Sequence, residues 1–214
     1  RVAVVRRSAR LPAGCSLGLD DHAGARAGPV HVAIARHRHI GRLRIALVNR
    51  GHGAGVEIEL REGDMRELSL DQPAALIYCP YRSLLHLPTW ADRRRVFERV
   101  AESLKRGGRF AWNAFVFDPH VAVRMDGVAR PHLDSETLWE YVAHRPQDNR
   151  IDITAYVGEP GLGRRDLQLW WLTRSEWEGL IDVAGLEVEA LYGWFDKRPF
   201  DDESPEFVWV ARRA

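Results

Sequence analysis

Three residues that follow an alternating strand could bind a polar ligand. The stretch "VEIELREGDMRELSL", residues 56–70, alternates apolar and acidic side chains and then breaks at Gly63, Asp64 and Met65. A carboxylate at a strand end can accept hydrogen bonds from an amino group, a thioether can lie against a ring, and glycine lets a ligand approach the backbone. The aspartate could instead cap the turn that follows, as aspartates often do. Both interpretations remain open from these residues alone.

A second set of reactive residues follows the next apolar run, "PAALIYCPYRSLLHL". Cys79, Pro80 and Tyr81 stand at its end, and His86 lies in the predicted helical turn beyond. Because the imidazole pKa lies near neutrality, His86 could orient or deprotonate a nucleophile. A lone histidine is more often a structural residue, which is the alternative interpretation.

Polar and aromatic residues later in the chain could line a ligand pocket. Asn113 lies near the end of "RFAWNAFVF", with Phe115 and Phe117 close behind it. Four further aromatic residues could stack on a planar ligand, although large aromatic side chains usually fill cores. They are Trp170, Trp171, Trp194 and Phe195.

The elements that would hold these residues alternate between strand and helix. Val56, Ile58 and Leu60 predict one face of a strand, and "PAALIYCPY" predicts a strand buried on both sides. In "TWADRRRVFERVAESLKRGG" an apolar stripe predicts a helix that starts near Thr89 and stops at Gly107-Gly108, before the strand "RFAWNAFVF". Strands joined by such short crossovers pair in parallel. The pattern predicts an α/β fold, with helices on both faces of a mostly parallel sheet.

The last third of the chain predicts antiparallel additions to that sheet. "DNRIDITAYVG" and "RRDLQLWWLT" flank a turn-rich segment and predict a β-hairpin insertion over residues 150–172. Thr173 and Glu176 form a predicted capping box for a helix that Gly185 ends. Two closing strands, "LEVEALYGWF" and "EFVWVARR", predict that the last strand runs antiparallel.

Size and composition favour a single domain over residues 1–214. The 214 residues are 45% hydrophobic, and their two cysteines, Cys15 and Cys79, match neither a disulfide framework nor a zinc site. No apolar run reaches bilayer length, so we expect a cytoplasmic protein without a membrane or metal partner. Residues 1–56 carry ten arginines against two acidic residues. This charge leaves nucleic-acid binding as a disfavoured alternative, because no nucleic-acid motif accompanies it.

Three motifs in register give the sequence a family resemblance. "LREGDMRELSL", "ALIYCPYRSLLHL" and "VAESLKRGGRFAWNAF" resemble the third, fourth and fifth strand regions of class I S-adenosylmethionine-dependent methyltransferases of the small-molecule type. Arg106 replaces the proline usual in that family. The resemblance covers about three quarters of the chain, from Val56 to Arg213, and implies a three-layer Rossmann-like sheet.

The resemblance also implies a cofactor, S-adenosylmethionine, and a set of site residues. Gly63, Asp64 and Met65 would contact its adenine, and Cys79 and Pro80 would lie near the reactive methyl group. Tyr81 and His86 would be the catalytic residues. The implied reaction transfers the methyl group to O, N or C of a small-molecule acceptor. Monomer and homodimer both fit this picture.

The amino-terminal quarter departs from the family pattern. The nearest counterpart of its glycine-rich cofactor loop is "AGCSLGLDD", which offers Gly14 and Gly18. Arg36 and His37 occupy the place of the acid that receives the ribose hydroxyls, and cations cannot accept those hydrogen bonds. We therefore hypothesise that residues 1 to about 42 are poorly ordered and are translated out of frame from a GC-rich gene. A non-catalytic binding protein with the same fold is the alternative function.

Overall fold

Seven strands form the main sheet of the computed structural model, which describes residues 2–6, 31–35, 58–61, 63–131, 138–157 and 164–214. Numbered in chain order, they are β1 Val2–Arg6, β2 His31–Ala35, β3 Ile58–Arg61, β4 Ala74–Cys79, β5 Leu104–Phe115, β10 Leu186–Tyr192 and β11 Glu206–Arg213. Their spatial order is β10-β11-β5-β4-β2-β1-β3. β4 pairs in parallel with both β2 and β5, whereas β11 runs antiparallel to both β5 and β10. The predicted sheet with its reversed last strand is confirmed.

The amino-terminal half of the sheet holds one difference from the prediction. β1 is a second reversed strand, antiparallel to both β2 and β3. β2, not β1, therefore takes the place beside β4. The remainder of the segment up to residue 42 lies outside the described residues, so the hypothesis of poor order there stays a prediction.

Three helices are described, α1 Trp90–Ser103, α2 Pro119–Met125 and α3 Arg174–Val183. Thr89 caps α1, and Thr173 with Glu176 forms the predicted capping box of α3. The rings of Phe97 in α1 and Trp177 in α3 lie 5.1 and 6.0 Å from that of Trp112 in β5. Burying each such aromatic side chain stabilises the fold by about 1.5–3 kcal/mol. Both helices therefore cover the same face of the sheet.

Helix α1 ends four residues before the predicted stop at Gly107. Gly107 and Gly108 lie inside β5, where Gly107 has a φ of +70°. A Cβ on Gly108 would come within 2.8 Å of the Lys105 carbonyl oxygen and 2.9 Å of the Ala74 carbonyl oxygen. The glycine pair therefore lets β5 pass close to β4, where the pairing register shifts, and does not cap the helix.

A second sheet of four antiparallel strands follows β5. It consists of β6 Ala129–Pro131, β7 Leu138–Arg145, β8 Arg150–Val157 and β9 Arg165–Trp170, in that spatial order. The predicted hairpin is the β8–β9 pair, with Arg150 opposite Trp170. Its apolar residues Ile151, Ile153, Leu167 and Leu169 belong to the main core. None of the helices described is long and apolar enough to cross a membrane.

Candidate active site

Most of the predicted site residues lie along the carboxyl edge of the main sheet, where β3, β4 and β5 end. The turn at residues 63–67 follows β3, the turn at residues 80–86 follows β4, and residues 113–117 end and follow β5. Because β11 runs in reverse, its first residue, Glu206, lies at the same edge, paired in register with Phe115. Ligands of open α/β sheets bind at this edge.

Asp64 caps the short 3-10 turn Met65–Glu67 that follows β3. Its Oδ1 accepts hydrogen bonds from the backbone N–H of Arg66 at 2.9 Å and from the Arg66 Nε at 3.0 Å. The second arm of Arg66 donates to Asp92 at the start of α1, at 2.8 Å. Hydrogen bonds from Arg66 to Asp64 first, then to Asp92, raise the pKa of that guanidinium above its ordinary value. The capping role is thus observed, and it ties the turn to α1.

The same turn presents its polar atoms to solvent. The Asp64 side chain is 44% exposed and its partner Arg66 is 42% exposed, so a ligand can compete for the carboxylate. A Cβ added to Gly63 would meet no atom of the described residues within 4 Å. Protein packing therefore does not demand glycine at this position, and the open space would admit a ligand against the backbone. Met65 is buried in the core, which leaves its backbone to make any adenine contact.

The turn after β4 holds two consecutive residues in the left-handed region. Tyr81 and Arg82 have φ values of 59° and 57°, which non-glycine residues rarely adopt. The Ser83 hydroxyl donates to the Pro80 carbonyl oxygen at 2.6 Å and helps to hold the turn. Tyr81 projects outward with 77% of its surface exposed. Strained residues of this kind are frequent at ligand sites, because the surrounding contacts must enforce them.

The other two predicted residues of this region are buried. Cys79 ends β4 inside the core, where burial raises the pKa of its thiol to about 12. His86 closes the 3-10 turn Ser83–His86 and is almost fully enclosed. The helical turn predicted at His86 is confirmed, and its catalytic role stays a prediction.

A buried hydrogen-bonded ion pair that the sequence did not predict lies beside this turn. Glu206 is 1% exposed, and its two carboxylate oxygens accept from the fork of Arg82, at 3.1 Å from Nε and 2.7 Å from an Nη atom. Asn113, at 5% exposed, donates its amide N–H to the same carboxylate at 2.6 Å. The Arg82 guanidinium also lies over the Phe115 ring. The partners of Glu206 stand 124 and 93 residues away in sequence, which is why no local pattern could reveal the cluster.

An aromatic stack joins the second sheet to the carboxyl edge. Phe117, just beyond β5, lies parallel to Trp171, just beyond β9, with ring centroids 4.0 Å apart. The ring of His144 in β7 also contacts Phe117, with ring centroids 5.0 Å apart. The Nε2 of His144 and the Nε1 of Trp171 are buried without a hydrogen-bond partner in the described part of the chain. The stack therefore places unpaired polar atoms beside the edge.

Two predicted cofactor residues, Gly14 and Gly18, lie outside the described residues. So do Arg36 and His37, which stand in place of the ribose-binding acid. Trp194 and Phe195 are exposed in the loop between β10 and β11, and their ring centroids lie 5.3 Å apart. Within the described ranges, no group of three or more His, Cys, Asp or Glu side chains could hold a metal ion.

Comparison with known proteins agrees with the fold. No protein-family model matches the chain. It is 26% identical over 211 residues to the cypemycin N-terminal methyltransferase of a Streptomyces species, covering 95% of this chain and 82% of the relative. An S-adenosylmethionine-dependent methyltransferase from Clostridium acetobutylicum superposes with a TM-score of 0.65 at 13% identity, over 78% of this chain and 69% of that one.

A second solved structure is the CcbJ methyltransferase from Streptomyces caelestis. It superposes with a TM-score of 0.60 at 23% identity. The match covers 71% of this chain and 66% of that protein, slightly less than two thirds of its length. This chain therefore has the fold of S-adenosylmethionine-dependent methyltransferases, to which its relatives belong.

Proposed function

We propose that this chain transfers the methyl group of S-adenosylmethionine to a nitrogen atom of an amine. The observation that carries the proposal is the Gly63–Asp64 turn, because it combines an accessible carboxylate with open space beside the backbone at the ligand-binding edge. The choice of nitrogen is supported by the relative that spans nearly the whole chain, an N-terminal methyltransferase.

The described residues fit the adenine end of the cofactor. The Asp64 carboxylate would accept from the exocyclic amino group, the backbone of Gly63 and Met65 would lie along the ring, and the turn at Cys79 and Pro80 would face the methyl end. When bound, the cofactor supplies an electrophilic methyl group on a sulfonium whose sulfur leaves with the bonding electrons. Tyr81 and His86 would orient the acceptor, and the imidazole of His86 would receive the proton that the nitrogen releases.

The acceptor would lie between the carboxyl edge and the second sheet. The stack of Phe117, Trp171 and His144 supports this assignment, because its unpaired nitrogens could bind polar groups of an acceptor. Holding the nitrogen against the methyl group in a near-attack geometry would supply most of the acceleration. The proposal includes a cytoplasmic location, which is supported by the free, buried thiol of Cys79.

Calorimetry of the intact chain with S-adenosylhomocysteine tests the cofactor assignment. We expect one site with a micromolar dissociation constant, about −8 kcal/mol. The nitrogen assignment needs a transfer assay by mass spectrometry, with Ala-Ala-Ala amide as the amine probe and its N-acetylated form as the matched control. Methylation of the free amine alone is the expected result.

Three other results would contradict parts of the proposal. If S-adenosylhomocysteine does not bind, the chain is not a working methyltransferase. Binding without transfer to any acceptor would favour the non-catalytic alternative. Methylation of a hydroxyl probe, with amines untouched, would show that the acceptor atom is wrongly assigned.

A further inference from the structure

Asn113 carries a buried acceptor atom, its side-chain oxygen, which has no partner in the described part of the chain. Its Oδ1 is buried, yet no described residue donates a hydrogen bond to it. Buried amide oxygens are paired in the great majority of folded proteins, because leaving one unpaired costs free energy. An exception at the ligand-binding edge of the sheet therefore calls for a donor that arrives with a ligand.

The orientation of the Asn113 amide is fixed by chemistry. A carboxylate can only accept hydrogen bonds, so the amide group that faces Glu206 at 2.6 Å must be the NH₂. The carbonyl oxygen then points away from Glu206. Arg82 holds the carboxylate itself through two hydrogen bonds. A flipped amide would set two acceptor oxygens against each other, so the cluster of Arg82, Glu206 and Asn113 locks the carbonyl in one direction.

The position of the cluster in the fold fits a role at the transfer site. Trp112 of β5 and Trp209 of β11 stack with each other on the face covered by α1 and α3. Since side chains alternate along a strand, Asn113 and Glu206 project from the opposite face. Arg82 reaches them from the strained turn after β4, two residues beyond Pro80. The unpaired oxygen thus lies at the meeting point of the β4 and β5 ends.

We infer that the Asn113 Oδ1 accepts a hydrogen bond from the N–H of the acceptor amine at the methyl-transfer site, with Glu206 and Arg82 acting as positioning residues. This inference rests on the proposed function. It narrows the acceptor to a group that still carries a hydrogen on nitrogen.

Sinefungin is a suitable probe because it carries an amine in place of the methyl group that S-adenosylmethionine transfers, whereas S-adenosylhomocysteine has no donor there. Calorimetry of the intact chain with both compounds measures the ratio of their affinities. We expect the parent to bind sinefungin about tenfold or more tightly than S-adenosylhomocysteine, as a hydrogen bond from a charged donor allows. In Asn113→Leu the ratio should fall to about one, with S-adenosylhomocysteine affinity unchanged.

Two further variants separate positioning from fold support. Glu206→Gln keeps the size of the side chain but lets the Asn113 amide turn, so the ratio should fall about threefold or more. The matched control is Glu189→Gln, which breaks the exposed ion pair with Arg109, far from the carboxyl edge, and should leave the ratio at the parent value. If Asn113→Leu does not fold, Glu206→Gln still tests the inference.

The outcomes that would overturn the inference are distinct from those that would overturn the proposed function. A parent that binds S-adenosylhomocysteine but shows no preference for sinefungin overturns the inference alone. Equal weakening of both ligands in Asn113→Leu or Glu206→Gln would show a purely structural role. Binding of neither compound by the parent refutes the proposed function, and this assignment with it.

Discussion

Asp64→Ala separates cofactor binding from turn capping. The parent carboxylate makes three hydrogen bonds to Arg66, one of them to its backbone N–H. Losing the cap should lower the free energy of unfolding by about 1 kcal/mol. The ion pair adds at most about 0.2–1 kcal/mol, because both side chains are more than one third exposed and water screens them. A total of about 1–2 kcal/mol corresponds to a fall in Tm of about 2–8 °C for a domain of this size.

The effect on binding should be larger and of a different kind. If Asp64 accepts from the adenine amino group, its removal should weaken S-adenosylhomocysteine binding by about 1.5–3 kcal/mol, or about ten- to a hundredfold. The matched control is Asp92→Ala, which breaks the other hydrogen bond of Arg66 and one to Thr89, at 2.8 and 2.7 Å. The Tm of Asp92→Ala should fall by a similar amount, and its affinity for S-adenosylhomocysteine should stay at the parent value.

Calorimetry and thermal melts on both variants decide between the two roles. If Asp64→Ala binds S-adenosylhomocysteine as tightly as its parent while its Tm falls like that of Asp92→Ala, the residue is a turn cap and the adenine assignment is wrong.

Four other predictions come from single features of the chain. Gly63→Ala should leave Tm unchanged or slightly raised and should weaken S-adenosylhomocysteine binding. By contrast, Gly108→Ala should lower Tm, because its Cβ would collide with two carbonyl oxygens. If Gly63→Ala and the parent bind S-adenosylhomocysteine equally well, the role of the open space is contradicted. Cys79 should resist iodoacetamide at pH 8 until the chain is unfolded, as peptide mapping would show, and modification of the native chain would contradict its burial. Since the pKa of this thiol is raised from 9.0 to about 12, its contribution to stability should decline as pH rises above about 9, and Cys79→Ala should remove that part of the alkaline loss. Outside β1 and β2, amides in residues 1 to about 42 should exchange faster than those of β3, and equal protection would count against both the poor order and the out-of-frame hypothesis.

Local sequence patterns correctly predicted the elements that are encoded by residues close together in the sequence. The apolar run of β4, the Thr89 cap and the Thr173–Glu176 capping box each encode a single element, and each is found as predicted. The end of α1 was misplaced because Leu104 continues the helical apolar stripe, although it is the first residue of β5 and is fully buried there. Sequence periodicity cannot distinguish a helical residue from a strand residue when both would be buried.

The parts that the sequence did not reveal depend on distant pairing. The eight residues of β7 pair with β8 along their whole length, yet "LWEYVAHR" has no clean alternation that marks a strand. β1 is reversed, and neither its composition nor its length sets its direction. Glu206 begins the predicted strand "EFVWVARR", but only the pairing of β11 with β5 brings it to Asn113. The sequence thus named Asn113 as a pocket residue but could not reveal its partner Glu206, and the roles of the predicted site residues stay predictions.

The reversed β11 has a consequence for how the chain becomes active during synthesis. This strand inserts between β10 and β5, so β10 has no partner in the sheet until the last strand arrives. A nascent chain that has released everything up to residue 205 holds the Asp64 turn but lacks Glu206, and Arg82 then has no carboxylate to hold the strained turn after β4. We expect such an intermediate to fold in part and to be unable to orient an acceptor. Competence for the proposed methyl transfer would thus require that the ribosome has released β11.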